Sequence, residues 1–105
     1  MTATAELDGD LANFEVKAAQ AANMLKLLAN ERRLLILCEL VKHSECTVNN
    51  LADAVGLSQS ALSQHLAKMR AEGLVAFRRS AQTLHYRIAD KNATRILTLL
   101  QDLYC

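Results

Sequence analysis

The stretch Ser58-Gln-Ser-Ala-Leu-Ser-Gln-His-Leu-Ala-Lys-Met-Arg-Ala-Glu-Gly-Leu-Val75 decides how this chain folds. Within it Ala61, Leu62, Leu66 and Met69 recur at the spacing of one helical face and form an apolar stripe. Gln59, Ser60, Ser63 and Gln64 occupy the first two turns on the other side. Their short hydroxyl and amide groups suit hydrogen bonds to DNA base edges and phosphates. Lys68 and Arg70 follow and suit phosphates. Gly73 stops the helix, and Leu74-Val-Ala-Phe-Arg-Arg79 reads as a strand.

Upstream, Thr47 can cap a short helix with Val48, Leu51, Ala52 and Val55 turned inward. Gly56 ends that helix, and Leu57-Ser58 makes a tight turn in which Ser58 caps the next one. Two helices joined by a glycine-containing turn match the helix-turn-helix pattern. Downstream the period drops to two. Val75 and Phe77 mark one strand, and Leu84, Tyr86 and Ile88 alternate with His85, Arg87 and Ala89 in a second. Ser80-Ala-Gln-Thr83 is the hairpin tip, or wing. Asp90 can cap a last helix whose Ile96, Leu99, Leu100 and Leu103 share a face.

Two more helices precede the motif. An alanine-rich one is expected from about Asp10 to Ala29, with Phe14, Ala18, Ala21, Ala22 and Leu25 at helical spacing. Asn30 can cap another, which carries Leu34, Leu37, Cys38 and Val41 on one stripe and ends near His43. The expected architecture is mainly α (α+β), a winged helix-turn-helix of order α-α-α-α-β-β-α. Residues 1–9 are expected to be a flexible N-terminus and residues 10–105 a single domain. Helices at both ends bring more apolar surface than one small core needs. A homodimer through the first and last helices is the expected outlet.

Composition agrees with an α-rich domain. The 105 residues are 51% hydrophobic, with aromatics at 4% and neither Trp nor Pro, so Leu, Ala, Val and Ile must build the core. Net charge is only +1, but it is unevenly spread. Glu6, Asp8, Asp10 and Glu15 are unopposed in the first fifteen residues, whereas Lys68, Arg70, Arg78, Arg79, Arg87 and Lys91 face only Glu72 and Asp90. A local basic face is what phosphate contact requires. The acidic N-terminus lacks the apolar run of a signal peptide, and Glu39 interrupts the apolar Leu34–Val41 segment, so a cytoplasmic protein without a membrane partner is expected. Three cysteines in a reducing compartment do not make a disulfide framework. No Cys-x-x-Cys is present and no cysteine has a nearby activating His or Arg in sequence, which argues against a thiol enzyme and implies no cofactor.

Ala29-Asn-Glu-Arg-Arg-Leu-Leu-Ile36, Leu51-Ala-Asp-Ala-Val-Gly-Leu57 and Ser58-Gln-Ser-Ala-Leu-Ser-Gln-His-Leu66, in this order of elements, resemble the ArsR (arsenic-repressor-like) family of dimeric repressors. The resemblance covers about residues 15 to 105. It implies a double-stranded operator as partner. Its two usual metal sites look broken here. The box on the third helix reads Glu45-Cys46-Thr47-Val48, with the thiol one place early. Asp90 is followed by Lys91-Asn92, and no His lies on the last helix.

Cys38 within Leu-Cys-Glu-Leu and Cys105 after Asp-Leu-Tyr resemble instead the dithiol pair of SqrR, BigR and HlyU-type sensors. That resemblance implies a repressor that reacts with sulfane sulfur (persulfide or polysulfide) or oxidants and then releases its operator. The negative helix end and α-carboxylate disfavour a thiolate at Cys105, so Cys38 is expected to react first and Cys105 to resolve. The alternative is a metal- or metalloid-responsive repressor using Cys38 and Cys105, with or without Cys46 or His43. Cys46 lies in a polar Ser44-Glu-Cys-Thr47 segment and reads as an incidental surface thiol.

For DNA the selected contacts are Gln59, Ser60, Ser63, Gln64 and Lys68 on the recognition helix and Arg78, Arg79, Gln82 and Arg87 on the wing. His65 belongs to this set or else packs against the turn. Arg78 and Arg79 cannot share a side of one strand. His85 is expected to face solvent.

Overall fold

The computed structural model describes the backbone of residues 4–104 and the side chains of residues 11–104. Two compact units divide the chain at Asn30 and Glu31. The first holds α1, Thr4–Leu28. This helix starts earlier than the expected Asp10. Glu6, Asp8 and Asp10 fall within its span. Leu11, Phe14, Val16 and Leu25 are each more than half exposed along it.

The second unit carries α2 (Glu31–His43), β1 (Cys46–Thr47), α3 (Val48–Val55), α4 (Gln59–Ala71), β2 (Val75–Ser80), β3 (Thr83–Ile88) and α5 (Lys91–Tyr104). The strands form one antiparallel sheet in the order β1-β3-β2. This is a winged helix-turn-helix. The additional strand β1 was not expected, because two residues carry no period. It pairs Cys46 with Tyr86 and Thr47 with His85.

The punctuation expected at Thr47, Gly56, Ser58 and Asp90 is present atom by atom. Thr47 Oγ1 accepts from the Asn50 amide at 3.3 Å and starts α3. Gly56 ends α3 at φ 69°, the left-handed conformation that costs a residue with a Cβ. Ser58 Oγ accepts from the Ala61 amide at 3.1 Å and starts α4. Asp90 Oδ1 accepts from the Ala93 amide at 3.0 Å and starts α5. At the wing tip Ser80 pairs with Thr83, leaving Ala81 and Gln82 as the turn. Ala81 takes φ 55°, as the first position of a tight hairpin turn demands.

The core is aliphatic. Ile36, Leu37 and Leu40 of α2, Leu51 of α3, Leu62, Leu66 and Met69 of α4, and Leu97 of α5 are almost fully buried, with Leu74 and Val75. The expected stripe of α2 proves to be rotated. On α2 only Leu37 of the expected set is fully buried, while Leu34, Cys38 and Val41 are half-buried. The segment is apolar nearly all round, so spacing alone leaves its inward direction undefined. Packing against α3, α5 and β3 selects Ile36, Leu37 and Leu40. On α5 the buried residues are Ala93 and Leu97, and Leu99 and Leu103 stand 56% and 65% exposed.

Candidate DNA-reading face and thiol-bearing groove

The turn Gly56–Ser58 fixes how α4 leaves α3. With Leu62, Leu66 and Met69 buried, Gln59, Ser60, Ser63, Gln64 and Lys68 are carried to the exposed side. His65 is half-buried, at the margin between the two sides. The Gln59 amide nitrogen donates to Asn49 Oδ1 of α3, a contact across the helix-turn-helix that spacing could not reveal. Arg33 and Glu72 pair at 2.7 Å and tie α2 to the end of α4.

The wing presents Arg79, Gln82 and Arg87 as exposed side chains. Its register separates them. Ala76 pairs with Arg87 and Arg78 with His85, so Arg78, His85 and Arg87 lie on one face, while Arg79 opposite Leu84 lies on the other. Arg70 does not stand free as a phosphate ligand. Its guanidinium lies 4.8 Å from the centre of the Phe77 ring, which itself stacks at a tilt on Tyr86 at 5.4 Å.

Arg78 is also engaged. Its Nε and Nη2 donate to the two carboxylate oxygens of Glu45 at 2.7 and 2.9 Å. This hydrogen bonding holds the Glu45 carboxyl below the usual carboxylate range, helped by the charges of Arg78, His85 and Arg87 and opposed by partial burial. Glu45, Arg78, His85, Glu39 and His43 line a polar cavity of about 570 Å³. His85 is half-buried there, not freely solvated as expected, because it sits on the central strand between Thr47 and Arg78.

Cys46 lies in the wall of the same cavity and is only 8% exposed. The expected surface thiol is therefore a buried one. β1 pairing turns its side chain inward, and Sγ reaches the Glu39 carbonyl at 3.8 Å. Burial, then the charge of Glu39, push its thiol pKa up.

Cys38 occupies a different place. It lines an apolar groove of about 530 Å³ between α2 and α5, with Leu34, Leu35, Leu100 and Tyr104. Gln101 Nε2 of α5 donates to the Cys38 carbonyl at 2.8 Å, so the two helices are pinned at the thiol-bearing residue. Cys105, the other expected sensing residue, lies outside the described residues. Among the described residues no helix is long and apolar enough to cross a membrane.

Residues 30–76 match the family described as bacterial regulatory protein, arsR family. The transcriptional activator HlyU of Vibrio cholerae is 46% identical over 96 residues, covering 91% of this chain and 88% of the relative. The crystal structure of the transcriptional regulator HlyU from Vibrio vulnificus CMCP6 superimposes with a TM-score of 0.86 at 46% identity, covering 91% of this chain and 99% of that one. The transcriptional repressor BigR from Xylella fastidiosa superimposes with a TM-score of 0.79 at 33% identity, covering 90% and 95%. This chain therefore belongs to the ArsR family of bacterial regulatory proteins, and is a DNA-binding transcriptional regulator and not an enzyme.

Proposed function

We propose that this regulator is a homodimeric repressor that releases operator DNA when Cys38 and Cys105 are bridged by a sulfane-sulfur donor or an oxidant. The observation that carries the reading is the Gln101–Cys38 hydrogen bond. It brings α5 against α2 at the first thiol. Cys105 follows Gln101 by four residues in the sequence. The chain's similarity to HlyU, one of whose structures is described as reduced, supports a thiol-based switch.

The chemistry balances without a cofactor. The Cys38 thiolate attacks the outer sulfur of a persulfide RSSH, giving a Cys38 persulfide and the thiol RSH. Cys105, losing its proton, then attacks the Cys38 sulfur and expels hydrosulfide, leaving a disulfide. If Cys38 carries a longer polysulfide chain, Cys105 attacks an inner sulfur of it and expels hydrosulfide from the outer end, leaving a bridge with extra sulfur atoms. A direct disulfide needs the two Cα atoms within about 7 Å.

DNA release follows from geometry. The more than half-exposed Leu99, Leu103 and Tyr104 of α5 and the apolar residues of α1 supply the surface for a second copy. A dimer reads two major grooves about 34 Å apart through paired α4 helices. Tying α2 to α5 beside the subunit seam shifts that separation. A coupling of about 1–3 kcal/mol changes affinity 5- to 150-fold. The bases are read by Gln59, Ser60, Ser63 and Gln64, with His65 at the edge, and phosphates by Lys68 and the wing residues Arg79, Gln82 and Arg87.

The test is fluorescence anisotropy on a duplex selected from a random-sequence pool, with and without a persulfide donor. The wild type is expected to lose affinity with donor and regain it with dithiothreitol. Cys38→Ser and Cys105→Ser should bind DNA and ignore the donor. Release by the double Cys38→Ser/Cys105→Ser variant would refute the assignment. Tight stoichiometric metal that alters affinity without donor would support the metal-responsive alternative instead.

A further inference from the structure

We infer that Arg78 is a positioning residue of the wing and not a DNA contact, and that Glu45 is the anchor it is held by. This rests on the reading that the wing reaches DNA. Arg78 projects from β2, the outermost strand of the sheet. Glu45 immediately precedes β1, the strand at the opposite edge. Their two-pronged ion pair at 2.7 and 2.9 Å therefore spans the whole width of the sheet, over His85 of the central strand. Thr47, His85 and Arg78 stand side by side beneath it. The Nε–Nη2 edge of the guanidinium is spent on the carboxylate, which fixes the orientation of the side chain over the sheet.

The pair closes a loop of covalent and hydrogen-bonded structure around the wing base. Without it, β2 is tied to the body through β3 and through the Arg70–Phe77 contact. Beyond Arg78 the hairpin runs free to Ala81 and Gln82, about 10 Å further at strand spacing. A hinge of about 10° at the base moves the tip by roughly 2 Å, enough to break a hydrogen bond whose range is a few tenths of an ångström. The geometry lets Glu45 set where Arg79 and Gln82 land, although Glu45 itself carries the wrong charge to meet DNA.

That sign makes the test decisive. If Arg78 bound phosphate, removing Glu45 would free a cation and delete a repelling anion, so Glu45→Ala would bind tighter. Arg78→Ala would then lower the slope of log affinity against log salt by about 0.9, one phosphate contact. If the pair positions the wing, Glu45→Ala and Arg78→Ala each weaken operator binding about 5-fold. The double variant is then no weaker than either single variant, and the salt slope of Arg78→Ala stays at the wild-type value. Anisotropy titrations of these proteins and of Arg79→Ala, at four salt concentrations, read all three signatures. Circular dichroism confirms that each variant is folded, as expected for side chains at the surface. Glu45→Ala binding as tightly as wild type, or tighter, overturns the inference. Arg79→Ala with unaltered affinity and slope would overturn the wing reading together with it, whereas a weakened Arg79→Ala beside a neutral Glu45→Ala sinks the anchor alone.

Discussion

Leu97 and Leu99 lie two residues apart on α5, yet one is 0% and the other 56% exposed. Replacing each by alanine separates the packing of α5 onto α2 from its proposed use between subunits. Leu97→Ala removes a fully buried side chain and leaves a cavity, which costs about 2–5 kcal/mol. A domain of this length has about 5–15 kcal/mol in total. The substitution therefore removes a large share, and at a slope of about 1.5 kcal/mol per molar urea the unfolding midpoint falls by about 2 M.

Leu99→Ala leaves the fold of one subunit within about 0.5 kcal/mol. Half a leucine's burial in the interface contributes about 1 kcal/mol per copy, so about 2 kcal/mol for two copies and a dimer constant roughly 30-fold weaker. Urea unfolding at two protein concentrations, with sedimentation equilibrium for the dimer, measures both effects. A Leu97→Ala loss below 1 kcal/mol would refute the packing derived for α5. An unchanged dimer constant in Leu99→Ala would refute its place at the subunit seam.

Other consequences are equally direct. Gln64→Ala should relax discrimination among operator sequences, while Lys68→Ala should weaken all DNA alike and reduce the salt slope by about 0.9; equal slopes in the two variants would contradict that division. Cys46, buried in the sheet with its thiol pKa raised, should be alkylated by iodoacetamide at pH 7.5 more slowly than Cys38 in the folded dimer, and peptide mass spectrometry that finds Cys46 labelled first would reverse the order. Ala81 holds a left-handed turn position, so Ala81→Gly should stabilise the domain by up to about 1 kcal/mol in urea unfolding, and a loss of stability would show the turn unstrained.

Much of this architecture could be read from the chain because its signals are local. Thr47, Ser58 and Asp90 cap helices through atoms three residues away, and Gly56 supplies a backbone angle of its own. The change from helical to alternating spacing after Gly73 announced the wing for the same reason. The remaining features are set by distant partners. β1 exists only because β3 pairs with it, and that pairing is what buries Cys46 and half-buries His85. Glu45 and Arg78 are 33 residues apart, and neither carries a mark of the other. The inward face of α2 is set by its neighbours because the helix is apolar nearly all round, and α5 carries more apolar residues than its packing in this unit takes up. The excess is itself informative, since Leu99, Leu103 and Tyr104 are left for another surface. The polar side of α4 was legible residue by residue, except that Gln59 shares its amide with Asn49.

The central claim is that Cys38 and Cys105 become joined. Trypsin places the three cysteines on three separate peptides: Leu34–Lys42, His43–Lys68 and Ile96–Cys105. Mass spectrometry of the alkylated, persulfide-treated protein therefore reads the linkage without ambiguity. The account requires the first and third peptides to appear covalently coupled, through two sulfur atoms or more, and to separate on reduction. Coupling of either one to the Cys46 peptide, or modification of each thiol alone with no link, would contradict it.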